Sequence, residues 1–180
     1  MRGVLVQLVE IPGLIEGAHE DRGGGRALLG VLRGADAIVL CHDASRPAAE
    51  LDVIRRELEL AEIELPTLVV ATKVDEAPAQ EGSLGVSVLD DESLERLRDA
   101  VWELTGLIRV FLRRPGDADG EPLALDPPAT VADVAQTIHN DVADACRGAR
   151  IWGPSARFDG QRVGREHVVA DDDTIEIVMR

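Results

Sequence analysis

The sequence predicts an α/β domain over residues 1–105 and a smaller α+β domain over residues 106–180. Two observations carry that division. Through residue 105, short continuous apolar runs alternate with segments of helical periodicity, the order expected of a parallel sheet with crossover helices. After Thr105-Gly106 the rhythm becomes strand, turn, strand, helix and further short strands, which fits one helix lying on a small mixed sheet. With 180 residues and 45% apolar content, the chain can fill one ordinary core or two small ones.

In the first half, "VLVQLVEI" (4–11) reads as a strand that ends at Pro12-Gly13. "AIVLCHD" (37–43), "TLVVATK" (67–73) and "LGVSVL" (84–89) are the other strand candidates. A helical pattern over 24–33 follows a glycine cluster, "RGGGR", read as a mobile linker rather than a phosphate-cradling nest. The helix over 47–61 opens with Pro47, where a missing N–H costs little, and sets Leu51, Ile54, Leu58 and Ala61 at helical spacing. The helix over 91–104 opens with acids and places Leu94, Leu97, Val101 and Leu104 on one face.

In the second half, "LIRVFLRR" (107–114) and "LAL" (123–125) form a hairpin around the Gly-, Pro- and Asp-rich stretch 115–122. One helix follows Pro127-Pro128, with Thr130 as its N-cap, Asp133 in the capping-box place, and Val131, Val134, Ala135, Ile138 and Val142 on its apolar face. "ARIWG", "HVV" and "TIEIVM" supply further short strands, and Trp152 is expected in the small core.

The composition sets limits on function. The net charge is −15, divided as −11 over residues 1–105 and −4 over the rest. Such a surface opposes long-range attraction to nucleic acid or anionic membrane while leaving room for a local basic patch. Arg147, Arg150, Arg157, Arg162 and Arg165 are the candidates for one, against the plainer reading of a solvated surface. Cys41 and Cys146 have no metal-type spacing and are read as small buried apolar residues. His19 and His42 are expected at the surface or at strand ends, His139 and His167 in packing or hydrogen bonding. Without a signal peptide, an apolar run near 18 residues or a lipidation motif, the expectation is a cytoplasmic protein with no membrane partner.

Three stretches fit guanine-nucleotide chemistry. "EIPG" follows the first strand candidate and matches an Asp-x-x-Gly motif, in which the carboxylate helps hold Mg²⁺ and the Gly N–H meets the γ-phosphate. Glu10 takes the Asp place and Gly13 the Gly place; the longer Glu side chain disturbs a tight octahedral shell. "ATKVD" matches the Asn/Thr-Lys-x-Asp guanine motif. Asp75 would accept from guanine N1–H and the 2-amino group, which adenine cannot supply in that pattern, and the stem of Lys73 would lie along the base, with Thr72 in place of the commoner Asn. Lys73 is the chain's only lysine. "GVSVLD" is the weakest match: Ser87 and Val88 would direct backbone N–H groups at guanine O6.

In this order and context the chain resembles the Obg-related GTPases, and especially their DRG (developmentally regulated GTP-binding protein) branch. "VQLVEIPGLIEGAHEDRGGGRALLGVLRGADAIVLCHDAS" is similar to its switch-II region, with Leu14 where Ras-like proteins place a catalytic Gln. "LIRVFLRRPG", "VADVAQTIHNDV" and "ARIWGPSARFDGQRVGREHVVADDDTIEIV" are similar to a DRG-type TGS domain, a β-grasp, ubiquitin-like module. The resemblance implies a partial P-loop GTPase sheet over 1–105 and a TGS domain over 106–180. It also implies guanine nucleotide (GTP or GDP) as ligand, Mg²⁺ at Glu10, and ribosome, RNA or a protein as the partner of the second domain. "RELELAEIELPTLVVATK" runs straight through where eukaryotic DRG proteins carry an inserted domain.

One departure dominates. The phosphate loop G-x-x-x-x-G-K-[ST] occurs nowhere in the 180 residues, and the switch-I Thr is also missing. Most phosphate-binding N–H groups and the Lys that neutralises β/γ charge go with them. The expectation is therefore weak or lost GTP binding, no tight Mg²⁺ shell, no catalytic residue and little or no hydrolysis. A fragment, a misassigned start, one half of a split protein and a degenerate GTPase all fit this. The alternative function is a non-enzymatic adaptor, with the first domain as scaffold and the TGS domain binding RNA or protein. The strand leading into the phosphate loop would lie between 4–11 and 37–43. Without it, those two strands must pair directly or leave backbone groups unpaired.

Overall fold

The computed structural model describes residues 3–117 and 119–179. Ala118, within the expected turn of 115–122, lies outside the described residues, as do Met1, Arg2 and Arg180. The chain divides into two compact units, Gln7–Thr105 and Gly106–Arg180, with residues 3–6 assigned to the second.

The first unit is a parallel three-stranded sheet with one helix before it, one between its first two strands and one after it. Helix α1 (Gly25–Leu32) precedes β1 (Ile38–Asp43); α2 (Ala49–Leu60) leads to β2 (Thr67–Thr72); β3 (Leu84–Val86) is followed by α3 (Asp91–Leu104). The sheet order is β1-β2-β3, so β2 is hydrogen-bonded on both sides. The registers run Ile38↔Thr67 to Asp43↔Thr72 and Val70↔Leu84 to Thr72↔Val86. Leu29, Ile38, Leu40, Leu51, Leu58 and Ala61 form an aliphatic core, to which Leu14 and Ala18 belong. Glycine at position 25 is required for packing: a Cβ there would stand 2.1 Å from the Ala18 carbonyl oxygen.

The expected strand over 4–11 does not form. Residues 5–15 have no regular structure, with Leu5 fully exposed and Leu8 and Val9 more than 60% exposed. The segment is in neither of the two sheets. Cys41 on β1 is correspondingly exposed rather than buried. The "RGGGR" stretch is structured, forming a 3₁₀ turn (Arg22–Gly24) that runs into α1.

The second unit is a mixed five-stranded sheet with helices on its inner face. Strands β4 (Ile108–Leu112) and β5 (Glu121–Leu125) form the expected antiparallel hairpin. Strands β6 (Cys146–Trp152), β7 (Gln161–Val163) and β8 (Thr174–Met179) complete the order β5-β4-β8-β6-β7, with β4 and β8 parallel. This is a β-grasp arrangement, consistent with the expected α+β module. "HVV" makes only a single bridge, Thr130↔Val168, while β7 was not foreseen. The expected single helix is two, α4 (Val131–Ile138) and α5 (Asn140–Ala145). The break is His139, which is extended (φ −174°, ψ 151°) and whose Nδ1 accepts from Asp141 N–H at 3.1 Å, so the residue caps the second helix. Val110, Val131, Val134, Ala135, Ala149, Ile151 and Ile175 centre the core. Trp152 is not among them: by strand alternation it points to the opposite face, away from Ile151 and Ile175.

Helix α4 opens with the full capping box. Asp133 N–H donates to Thr130 Oγ1 at 3.3 Å, and the Thr130 hydroxyl and N–H each donate to Asp133 Oδ2 at 2.7 Å, which holds the Asp133 carboxyl below its usual range. Thr130→Ala removes one half of that exchange and should lower stability in urea by about 1 kcal/mol. Asp133→Ala should cost a similar amount, and the double variant less than the sum. Fully additive costs would mean that the two bonds act independently.

Candidate functional site

The carboxyl ends of three parallel strands lie side by side, and the chain turns out of each one carrying a polar group. In open α/β sheets this rim is where ligands bind. β1 ends on Asp43, β2 on Thr72 followed by Lys73, and β3 on Val86 followed by Ser87. Because Asp43, Thr72 and Val86 are joined in register through β2, their neighbours converge without help from distant loops.

Lys73 has a left-handed backbone, φ +58°. A non-glycine residue there carries a local cost of roughly 1–2 kcal/mol, a kind of strain that clusters at functional positions. Its Nζ donates to Asp43 Oδ2 at 2.6 Å. That bond, with further bonds from Ser45, holds the Asp43 carboxyl far below the usual range and raises the Lys73 ammonium in turn. Thr72 Oγ1 donates to the His42 carbonyl at 3.2 Å, so Thr72 ties β2 to β1. His42, buried at the strand end, meets Gln80 through its Nε2 at 3.0 Å. A depression of about 330 Å³ lies beside this corner, bordered by Cys41, Asp43, Arg46 and Glu50.

Asp75 is exposed on the turn after Lys73 and accepts from Ser87 Oγ at 2.5 Å. Ser87 itself is buried. Its N–H donates to Ser93 Oγ at 3.1 Å, and its Oγ also receives Leu89 N–H at 3.1 Å. The Ser87 N–H is thus committed within the protein, which corrects the expectation that it would point at a ligand. Val88 occupies the exposed turn beside it. Ser93, on the first turn of α3, locks this loop by donating to the carbonyls of Ser87 and Asp90.

Glu10 and Gly13 lie in the irregular segment before α1, and both are exposed. Glu10 is near enough to Cys41 for its charge to add to partial burial in raising the thiol. Among the described residues no group of three or more His, Cys, Asp or Glu side chains could hold a metal ion, and Glu10 is exposed. Immediately beyond, the chain is pinned. Glu57 on α2, only 2% exposed, accepts from Gly17 N–H (2.8 Å), His19 N–H (2.9 Å) and the His19 Nδ1 (2.7 Å).

Three residues of this region were not foreseen: Asp43, Glu57 and Ser93. Asp43 was findable as a carboxylate at the carboxyl end of a parallel strand. Glu57 borders the Leu51–Ile54–Leu58 face but reads as an ordinary helix charge in "RRELEL". Ser93 carries no sequence signal of its own.

The Glu57 contacts make a pH prediction. The bonds from His19 and Gly17 lower its carboxyl from 4.5 to about 2. A depressed carboxylate contributes stability that is complete above the unfolded value and lost as pH falls through the folded one. Stability of the first unit should therefore decline between about pH 4.5 and 2. Glu57→Gln should flatten that window in acid-unfolding curves; an unchanged curve would show that the pin does not report on stability.

Comparison with known proteins places these features in context. The TGS domain family matches residues 108–179. Over 99% of its length the chain is similar to a GTP-binding protein of Halobacterium salinarum, at 28% identity and covering 71% of that protein. It is 26% identical to a GTP-binding protein of Methanocaldococcus jannaschii, covering 67% of it, and 22% identical to developmentally-regulated GTP-binding protein 2 of Homo sapiens, covering 71%. The first of these matches extends over 265 positions, against the 180 residues here, so that relative carries segments without counterpart in this chain.

Proposed function

We propose that the first unit of this chain, which is similar over its length to GTP-binding proteins and matches the TGS domain at residues 108–179, recognises the guanine base of GTP or GDP. The observation that carries the reading is the convergence of Asp43, Lys73, Asp75 and Ser87 on one strand-end rim. Asp75 is the specificity residue: its carboxylate accepts from guanine N1–H and the 2-amino group, and Ser87 Oγ holds it in place. Lys73 lays its stem along the base, and Asp43 is the positioning residue that fixes its ammonium. The N–H of Val88 is the donor left for O6.

The residues present fit the base side of a nucleotide site. They do not fit a complete phosphate and Mg²⁺ side, since these 180 residues contain no G-x-x-x-x-G-K-[ST] and, among the described residues, no three His, Cys, Asp or Glu side chains gather to hold a metal ion. No hydrolytic step is assigned to them, and little or no GTP turnover is expected from this chain. The second unit is, on this reading, the part that meets an RNA or protein partner, and the family resemblance links that role to translation.

Titration of the chain with fluorescent GDP and ADP tests the proposal. Selective GDP binding in the ~10 µM to 1 mM range, weakened at least tenfold by Asp75→Ala and less by Asp43→Asn, is the expected result. Equal binding of GDP and ADP would contradict base recognition. GTP turnover that Asp75→Ala abolishes would contradict the inactive reading.

A further inference from the structure

The strand exits that form the rim are strongly acidic. Residues 43–52, 73–83 and 87–96, where the chain leaves β1, β2 and β3, carry ten carboxylates and three cations. Each of those cations is already engaged. Lys73 Nζ meets Asp43 at 2.6 Å, Arg46 reaches Glu50 at 3.6 Å, and Arg96 reaches Glu92 at 3.2 Å and Asp90 at 3.8 Å. Arg46 and Glu76 both act on Lys73 through their charge, so they belong to its surroundings. A phosphate brought here competes with a carboxylate for every cation and meets the remaining acids at close quarters. Lys73 could serve it only by leaving Asp43, whose own charge would then stand uncompensated beside the anion.

Backbone donors of the kind that bind anions are also committed. A helix N-terminus attracts phosphate through its open N–H groups and its dipole. All three helices of the first unit place their own carboxylates there. Asp21 Oδ1 accepts the Arg26 N–H at the start of α1, at 3.1 Å. Glu50 and Asp52 stand in the first turn of α2. Asp90 caps α3 by accepting the Glu92 N–H at 3.1 Å, and Asp91 and Glu92 occupy its first turn. In the segment before α1, the N–H groups of Gly17 and His19 go to Glu57.

A neutral purine meets none of this opposition. Guanine turns N–H donors toward Asp75, and a carboxylate is the acceptor that suits them. We infer that the rim takes guanine as the uncharged nucleoside, guanosine, in preference to GMP, GDP or GTP, each added phosphate weakening binding. The inference rests on Asp75 reading the base, and it adds the sign of the phosphate contribution. The Lys73–Asp43 pair serves both ends of this selectivity: it holds the lysine stem for the base and cancels the ammonium that a phosphate would seek.

Chemical-shift titration of the full chain with guanosine, GMP, GDP and GTP, with and without Mg²⁺, followed at the Lys73, Asp75 and Ser87 amides, tests it. Guanosine should bind tightest, about threefold or more ahead of GTP at low salt. Raising the salt from about 20 mM to about 300 mM should strengthen GTP binding roughly twofold, by screening repulsion, and leave guanosine unchanged. The double variant Glu50→Gln/Glu76→Gln, at two exposed carboxylates outside the base contacts, should cut the guanosine-to-GTP preference to about half while guanosine itself binds within about twofold of the parent. The inference is overturned if any of the three phosphates binds as tightly as guanosine at low salt, if GTP affinity falls as salt rises, or if the double variant leaves the preference unchanged. In the first case Asp75→Ala tells the two claims apart: GDP binding lost in that variant leaves base recognition standing, and GDP binding retained removes both. Binding by none of the four ligands overturns both as well.

Discussion

The pairing of β2 on both its edges organises the first unit. A parallel strand hydrogen-bonded to neighbours on either side cannot slip without breaking two ladders, so the ends of β1, β2 and β3 are fixed relative to one another. Asp43 and Lys73 meet because Asp43 and Thr72 are register partners. Asp75 and Ser87 meet because Thr72 and Val86 are. The polar rim is a direct product of backbone register, with Ser93 and Asp43 fixing the side chains it delivers.

The same dependence explains which strand is not formed. Strand-like sequence becomes a strand only where a partner satisfies its backbone. Residues 4–11 have the composition of a strand and remain irregular, and Cys41 on β1 is exposed. Gly17 and His19, a few residues further along, are held by another means, the buried Glu57 carboxylate that gathers their N–H groups. The segment carrying Glu10 and Gly13 is thus irregular at its start and anchored just beyond its end.

Much of this architecture was legible in the sequence, because continuous apolar runs and helical spacing report burial directly. Strands at 38–43 and 67–72, helices at 49–60 and 91–104, the hairpin after Gly106 and the Thr130 capping box arise from local pattern and local hydrogen bonding. The illegible features depended on partners far along the chain. The failure of 4–11 as a strand, the outward direction of Trp152 and the meeting of Arg113 and Arg150 at Glu176 are set by sheet register, which no local window contains. The break at His139 was local but hidden, since a histidine can cap a helix only if the chain first leaves the helical conformation. At the candidate site, Lys73 and Asp75 were visible as a motif; Asp43 and Ser93, which hold the site's geometry, were visible only in three dimensions.

The central claim is that Asp75 reads the hydrogen-bond donors of guanine. Xanthine differs from guanine in carrying a carbonyl at C2 in place of the amino group, so an amide that donates should suit it where a carboxylate does not. Competitive titration of the chain and of its Asp75→Asn variant with GDP and xanthosine diphosphate measures this directly. The account predicts preference for GDP in the parent and for xanthosine diphosphate in the variant, a reversal in the ratio of affinities. An unchanged ratio would contradict it, because the base would then not be meeting Asp75 at all.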